Sequence, residues 1–230
     1  MAINIVREVD DFVEIKNVII SVSNKAGLEK FVLDLLEINP GIRIFSTGGT
    51  FSFIEKFLKG KGTNNLIQVS DYTKQPETQG GLVKTLDFKI YLGILTEKYN
   101  ESHQADLRRT GAVPIDMVVV NLYPFKETIE KAGTTVEEAR ANVDIGGPCM
   151  IRAAAKNYLR VASVVDPDDY EKIISKMKTF NGKIDLETRF ELAKKAFTHT
   201  KNYDETISNY LLTIPSSKMK ECYEIMDAGE

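Results

Sequence analysis

The residues able to do chemistry sit in short polar segments that follow apolar runs. Ser23-Asn24-Lys25 follows one such run and Thr47-Gly48-Gly49-Thr50 follows the next. Hydroxyls, one ammonium and glycine backbone that a phosphate can approach closely are the groups that hold an anion at a helix start. Read alone, Gly48-Gly49 is equally a tight strand-to-helix turn, and Thr50 equally a cap. Gly80-Gly81-Leu82-Val83-Lys84-Thr85 leads a glycine turn into a lysine and a hydroxyl, although Lys84 by itself also fits a solvated surface group. Asp144-Ile145-Gly146-Gly147-Pro148 precedes a helix, with an aspartate of capping type and a double glycine suited to close approach. Arg152 and Lys156 share a helix face at i and i+4, with Ala153-Ala154-Ala155 between them. Tight packing there would hold Lys156 near the interior, lower its pKa and let it exchange protons near neutrality. A solvated helix lysine is the competing reading.

The elements that must position these groups alternate. Val18 to Val22 and Ile42 to Ser46 read as buried strands, and Leu66 to Val69 as a third. The spacing of Leu28, Phe31, Val32, Leu35 and Leu36 predicts a helix between the first two. Phe51, Ile54 and Leu58 predict another, stopped by Gly60 and Gly62. This alternation is the signature of a parallel sheet with crossovers, an α/β fold. Asp71 to Leu95 shows no regular pattern. Ile115 to Asn121 is the strongest strand and is expected at the centre, followed by Asn121-Leu122-Tyr123. Glu137 to Val143 reads as a short helix broken by Gly146-Gly147, and Pro148 as a first helical position before Met150 to Asn157. Val161 to Val165 is a last strand, followed by Asp166, with Pro167 to Lys178 and Leu186 to Leu212 mostly helical. In an open α/β sheet the ligand lies beyond the carboxyl ends of the strands, which selects the segments at 23–25, 47–50 and 121–123, with Asp166.

Composition bounds the function. Thirty basic and thirty-three acidic residues give a formal charge of −3 with no basic stripe, against nucleic-acid binding. Cys149 and Cys222 make neither a disulfide framework nor a metal spacing, as in a reduced compartment. The start of the chain lacks the pattern of a signal peptide, and no apolar run approaches the roughly 20 residues of a membrane span. A cytoplasmic protein is expected. His103 and His199 lie in polar sequence without metal-like spacing and read as surface or capping residues. There is no Gly-x-Ser-x-Gly elbow, Walker loop or His-Glu-x-x-His, so neither metal nor nucleoside-triphosphate chemistry has support.

Taken together and in order, Ile20 to Gly27, Ser46 to Thr50, Val69 to Thr73, Gly81 to Leu86, Val119 to Phe125 and Asp144 to Asn157 resemble the inosine monophosphate (IMP) cyclohydrolase domain of the bifunctional purine-biosynthesis enzyme. The likeness runs from about Val18 to Leu212, where Ala196 to Thr200 and Tyr203-Asp204 also fit. It implies a methylglyoxal-synthase-like fold: an open, mostly parallel sheet with flanking helices and a helical C-terminal region. The boundaries it implies are an N-terminal extension at 1–15, the domain at 16–214 and a tail at 215–230. It also implies ring closure of 5-formamidoimidazole-4-carboxamide ribotide to IMP with loss of water, without cofactor or metal. Ser23, Asn24, Lys25 and Thr47, Gly48, Gly49, Thr50 would then bind the ribotide phosphate. Thr85, Asn121, Ile145 and Gly146, with Lys84 and Asp144, would face the base or the closing ring. Asp144 would orient the carboxamide, Lys84 and Tyr123 settle the formyl oxygen, and Lys156 donate and accept protons. A homodimer is implied, acting on a purine ribotide and on neither nucleic acid nor membrane. The chain ends at Glu230, so the transformylase domain of the bifunctional relatives is expected to be absent and a separate transformylase to supply substrate.

This sequence departs from the family at one loop. Where the family usually reads Arg-Val-Lys-Thr-Leu-His-Pro, this chain has Leu82, Asp87 and Phe88 in place of the arginine, histidine and proline. Tyr91-Leu92 stands where His-Gly is common. Substrate affinity is the property these changes touch. The competing readings are methylglyoxal synthase itself, or a regulatory phosphate- or ribotide-binding protein of the same fold.

Overall fold

Val18, Ile19 and Ile20 send bulky side chains to both sides of one strand, and all three are buried. A strand apolar on both faces needs a layer of helices on each. The computed structural model describes residues 5–60, 62–75 and 85–226. Its main sheet contains β2 (Asn17–Val22), β3 (Arg43–Ser46), β4 (Leu66–Gln68), β5 (Met117–Asn121) and β6 (Ala162–Val164). The order is β4-β3-β2-β5-β6, and every pairing is parallel.

One face carries Val18, Ile20, Met117 and Val119 against α1 (Leu28–Ile38), α2 (Gly48–Leu58) and α9 (Tyr170–Thr179). The other carries Ile19, Phe45, Val118 and Val120 against α4 (Phe88–Leu95), α8 (Gly146–Lys156) and α10 (Leu186–Thr213). A short antiparallel sheet pairs β1 (Phe12–Glu14) with β7 (Lys183–Asp185). Beside it Arg189, fully buried, donates to the carbonyls of Asp10, Asp11, Tyr158, Leu159 and Ile184, tying the first residues to α10.

Three expectations change. β5 is interior, but the middle of the sheet belongs to β2, because the chain adds β3 and β4 on one side and returns to the other. This reversal makes the β2–β5 junction a topological switch point, where α/β sheets open a crevice at the carboxyl ends of their strands. The irregular stretch before Leu95 contains two helices among its described residues, α3 (Val69–Thr73) and α4. Asp87 starts α4 by accepting the Lys89 N–H at 2.8 Å, so one of the family departures serves as a helix cap. Finally, α8 begins at Gly146 rather than breaking there. The remaining helices are α5 (Glu101–Thr110), α6 (Phe125–Ile129), α7 (Val136–Ala141) and α11 (Ser216–Lys220). Among the described residues no helix is long and apolar enough to cross a membrane.

Candidate functional site

The loops after β2, β3 and β5 meet at the switch point. Asn121, the last residue of β5, accepts the backbone N–H groups of Ser23 at 2.7 Å and Asn24 at 2.9 Å. Its amide nitrogen donates back to the Asn24 carbonyl at 2.9 Å. The Asn24 side chain in turn accepts the Ala26 N–H. This lacing fixes the loop and changes two assignments. The Ser23 and Asn24 N–H groups are engaged inside the protein rather than open to an anion, and Asn121 is the residue that engages them.

Thr50 is likewise buried, its hydroxyl exchanging hydrogen bonds with the Val22 N–H at 3.1 Å and the Val22 carbonyl at 3.0 Å. It fastens α2 to β2 instead of facing a ligand. What remains open at this corner is coherent. The first turn of a helix leaves its N–H groups without intrahelical partners, and Gly48 and Gly49 occupy that turn of α2. A Cβ on Gly49 would meet nothing within 4 Å, so solvent or a ligand reaches the backbone there. Thr47 makes no side-chain cap bond, and its hydroxyl lies 3.4 Å from that of Ser21. The Lys25 ammonium folds back to 3.4 Å from the Val22 and Ser23 carbonyls, adding positive charge at the same strand end. Two N–H groups, two hydroxyls and one cation around a helix start are groups able to cradle an anion.

A second cluster builds on Asp144. Its carboxylate accepts the Gly147 N–H at 2.9 Å and also the Tyr123 N–H, joining the β5 loop to α8. Its own N–H goes to the Tyr203 hydroxyl at 2.8 Å. Burial pushes the carboxyl pKa up against these two donors. The glycines here are sterically required. A Cβ on Gly147 would lie 2.6 Å from Asp144 Oδ2 and from Leu122 Cδ2, and one on Gly146 would lie 2.6 Å from Thr85 Oγ1. Thr85 is therefore packed on the start of α8, beside exposed Ile145 and Tyr123. Lys84 falls outside the described residues, as do Leu82 and the glycines at 80 and 81.

Lys156 departs from its expected place. It is exposed at the far end of α8, roughly 15 Å along the axis from Gly146 at 1.5 Å per residue. Its neighbour Asn157 bonds the Ile94 and Thr96 carbonyls near the buried Arg160–Asp116 pair, at the amino ends of the strands. The alanines pack as expected, but Lys156 lies on the opposite face of the helix. A cavity at that end, of about 390 Å³, is lined in part by charges already paired within the protein, as in Lys98–Asp10 and Arg160–Asp116.

Asp166, at the end of β6, pairs with Lys195 at 2.7 Å, and Lys195 also holds Asp169 at 2.8 Å. His199, read from sequence as a surface or capping residue, is half-buried beside Asp166 and Lys195, and burial lowers its pKa. Its Nε2 has no partner among the described residues. Tyr203 and Tyr91 enter from the sequence only as a family match and a family departure, with no role at Asp144. Both come from helix stripes that look like ordinary core positions, and only the packing of α10 and α4 on α8 brings them to Asp144.

An open parallel sheet gathers the first turn of α2 and the half-buried Asp144 at the carboxyl ends of its strands. Residues 27–149 match the MGS-like domain, and the chain belongs to that family. Residues 154–228 match the AICARFT/IMPCHase bienzyme. The chain is 50% identical over 197 residues to the bifunctional purine biosynthesis protein PurH of Thermoanaerobacter sp. (strain X514), covering 86% of this chain and 37% of that protein. It is 44% identical over 211 residues to PurH of Bacillus subtilis (strain 168), covering 92% and 40%. The chain thus spans about two-fifths of the length of these relatives. A crystal structure of ForH superposes with a TM-score of 0.74 at 31% identity, covering 84% of this chain and 95% of that one.

Proposed function

We propose that this chain is an IMP cyclohydrolase that closes the second ring of 5-formamidoimidazole-4-carboxamide ribotide. The observation that carries the reading is the Asp144 carboxylate, held by two backbone N–H groups at the same strand ends as the α2 anion cradle. The similarity to PurH over most of the chain supports it.

The ribotide phosphate sits on the Gly48 and Gly49 N–H groups with Thr47, Ser21 and Lys25. Asp144 accepts a carboxamide N–H and turns the nitrogen lone pair toward the formyl carbon. A carbon–nitrogen bond forms and the formyl oxygen takes up a proton. One proton from the carboxamide nitrogen and one from the formamide nitrogen leave with that oxygen as water, and the aromatic ring of IMP keeps one N–H on the former carboxamide nitrogen. Most of the rate gain comes from holding the two groups in contact and from supplying protons at the departing oxygen. Tyr123 and Lys84 belong to the oxygen side of this reaction, as the family resemblance implies.

The working form in this reading is a homodimer in the cytoplasm. A dimer accounts for Lys156, which lies too far along α8 to serve its own Asp144 and reaches a site only from a second copy. The test is an ultraviolet assay of purified protein with the formylated ribotide, since ring closure changes the chromophore. A progressive spectral change is expected; its absence at high enzyme concentration would refute the assignment.

A further inference from the structure

Tyr91 lies on the face of α4 that packs against α8. Its ring is only partly buried, but its hydroxyl is fully buried, and among the described residues it has at most a weak contact with the Cys149 thiol. Its neighbours are the Cys149 thiol, in the early turns of α8, and the Asp144 carboxylate. A thiol is a weak hydrogen-bond partner, so a buried hydroxyl left with nothing better is costly, and such groups are retained where another state of the protein supplies a stronger partner. Burial raises the phenol pKa, aided by those two groups, so it remains a proton donor across the working pH range. The resembling family commonly carries histidine at this position, and both side chains can donate a hydrogen bond.

We propose that Tyr91 is the positioning residue for Asp144, its hydroxyl donating to the Asp144 carboxylate when substrate closes the site. The carboxylate has acceptor capacity beyond the Gly147 and Tyr123 N–H groups it already holds. A third donor keeps it ionised and fixes the oxygen that receives the carboxamide N–H. The titratable and charged groups around the pair are Cys149 from α8, Tyr203 and beyond it Asp204 from α10, and Tyr123 from the β5 loop. This role rests on the reading of Asp144 given under the proposed function.

The test compares the wild type with Tyr91→Phe and Tyr91→His. Tyr91→Phe removes only the hydroxyl, and is expected to lower kcat roughly 10- to 100-fold with KM within about threefold. The acidic limb of its kcat/KM profile should move up by about one pH unit, because the Asp144 carboxylate loses a donor. Tyr91→His should restore most of the activity and the limb. Melting temperature should stay nearly level, since the deleted hydroxyl has at most a weak thiol partner in the free protein. A wild-type kcat and pH limb in Tyr91→Phe overturn the proposal. So does a lower melting temperature with an unmoved limb, the signature of a merely structural residue. Carbon NMR titration of the Asp144 carboxyl with IMP bound reads the same contact without turnover. Should the wild type fail to close the ring, the cyclohydrolase reading falls while this titration still decides for or against Tyr91. If Tyr91→Phe does not fold, Tyr91→His must keep the wild-type titration for the proposal to stand.

Discussion

The Tyr203 hydroxyl accepts the backbone N–H of Asp144 at 2.8 Å, across 59 positions of the chain. One turn of α10 thereby fixes the backbone that aims the Asp144 carboxylate. Tyr203→Phe leaves that N–H without its partner, at a cost of about 1 kcal/mol in stability. We expect kcat to fall more than phosphate affinity, because the α2 cradle is untouched. Steady-state kinetics and calorimetric titration with inorganic phosphate check this; equal losses in both contradict it.

Asn121 makes three bonds between β5 and the β2 loop, so Asn121→Ala should cost about 2 to 3 kcal/mol in urea unfolding. It also frees the Ser23 and Asn24 N–H groups. If those groups were the phosphate donors, their release would strengthen phosphate binding. We expect weaker binding, because the loop that carries Lys25 loses its anchor.

Gly147 and Gly49 separate packing from binding. Gly147→Ala places a methyl group 2.6 Å from Asp144 Oδ2 and Leu122 Cδ2, and overpacking of this kind costs about 1 to 3 kcal/mol. Both the melting temperature and turnover should drop. Gly49→Ala meets nothing within 4 Å, so the melting temperature should hold while phosphate affinity falls as the methyl crowds the open backbone. An unchanged phosphate affinity in Gly49→Ala would remove the α2 turn from the anion site.

The layered fold was legible because strands such as Val18 to Val22 and Met117 to Val120 are apolar on both faces, which leaves few arrangements open. The glycine turn at a helix start was legible too, since Gly48 and Gly49 do open α2. The division of labour within it was not. Whether Thr50 faces a ligand or Val22 depends on how α2 leans on β2, and whether the Asn24 N–H is free depends on Asn121, distant in sequence. Helix periodicity also could not choose the face for Lys156, because alanines pack equally well with a lysine on either side of their stripe. Tyr203 and Tyr91 were marked only by the family pattern, as a match and a departure; they are apolar-face residues whose hydroxyls acquire meaning only beside Asp144.

A dimer in which Lys156 serves the neighbouring copy predicts complementation. Lys156→Ala and Asp144→Asn should each be nearly inactive alone. After mixing under exchange conditions, half of a random population is heterodimer with one intact site in two, giving about a quarter of wild-type activity. No recovery, with subunit exchange confirmed by labelled protein, places Lys156 outside the neighbour's site.

His199 supplies a pH dependence of stability. Its pKa is lowered by burial, with Asp166 favouring the charged form and Lys195 opposing it. A histidine whose folded pKa lies below its unfolded value of about 6.5 binds fewer protons folded than unfolded in that window, so stability rises with pH through it. Acidifying from about pH 7 toward 5 must therefore cost stability as the unfolded chain takes up the proton that folded His199 resists. Asp166 has the opposite kind of shift, a carboxyl lowered by its bond to Lys195, and its contribution is lost only below the ordinary carboxylate range. The two windows do not overlap, which lets one substitution isolate the first. His199→Gln should flatten the stability profile between about pH 7 and 5 while leaving the fall at lower pH in place. Urea midpoints measured across this range for both proteins provide the comparison, and parallel curves would mean that His199 does not carry the effect.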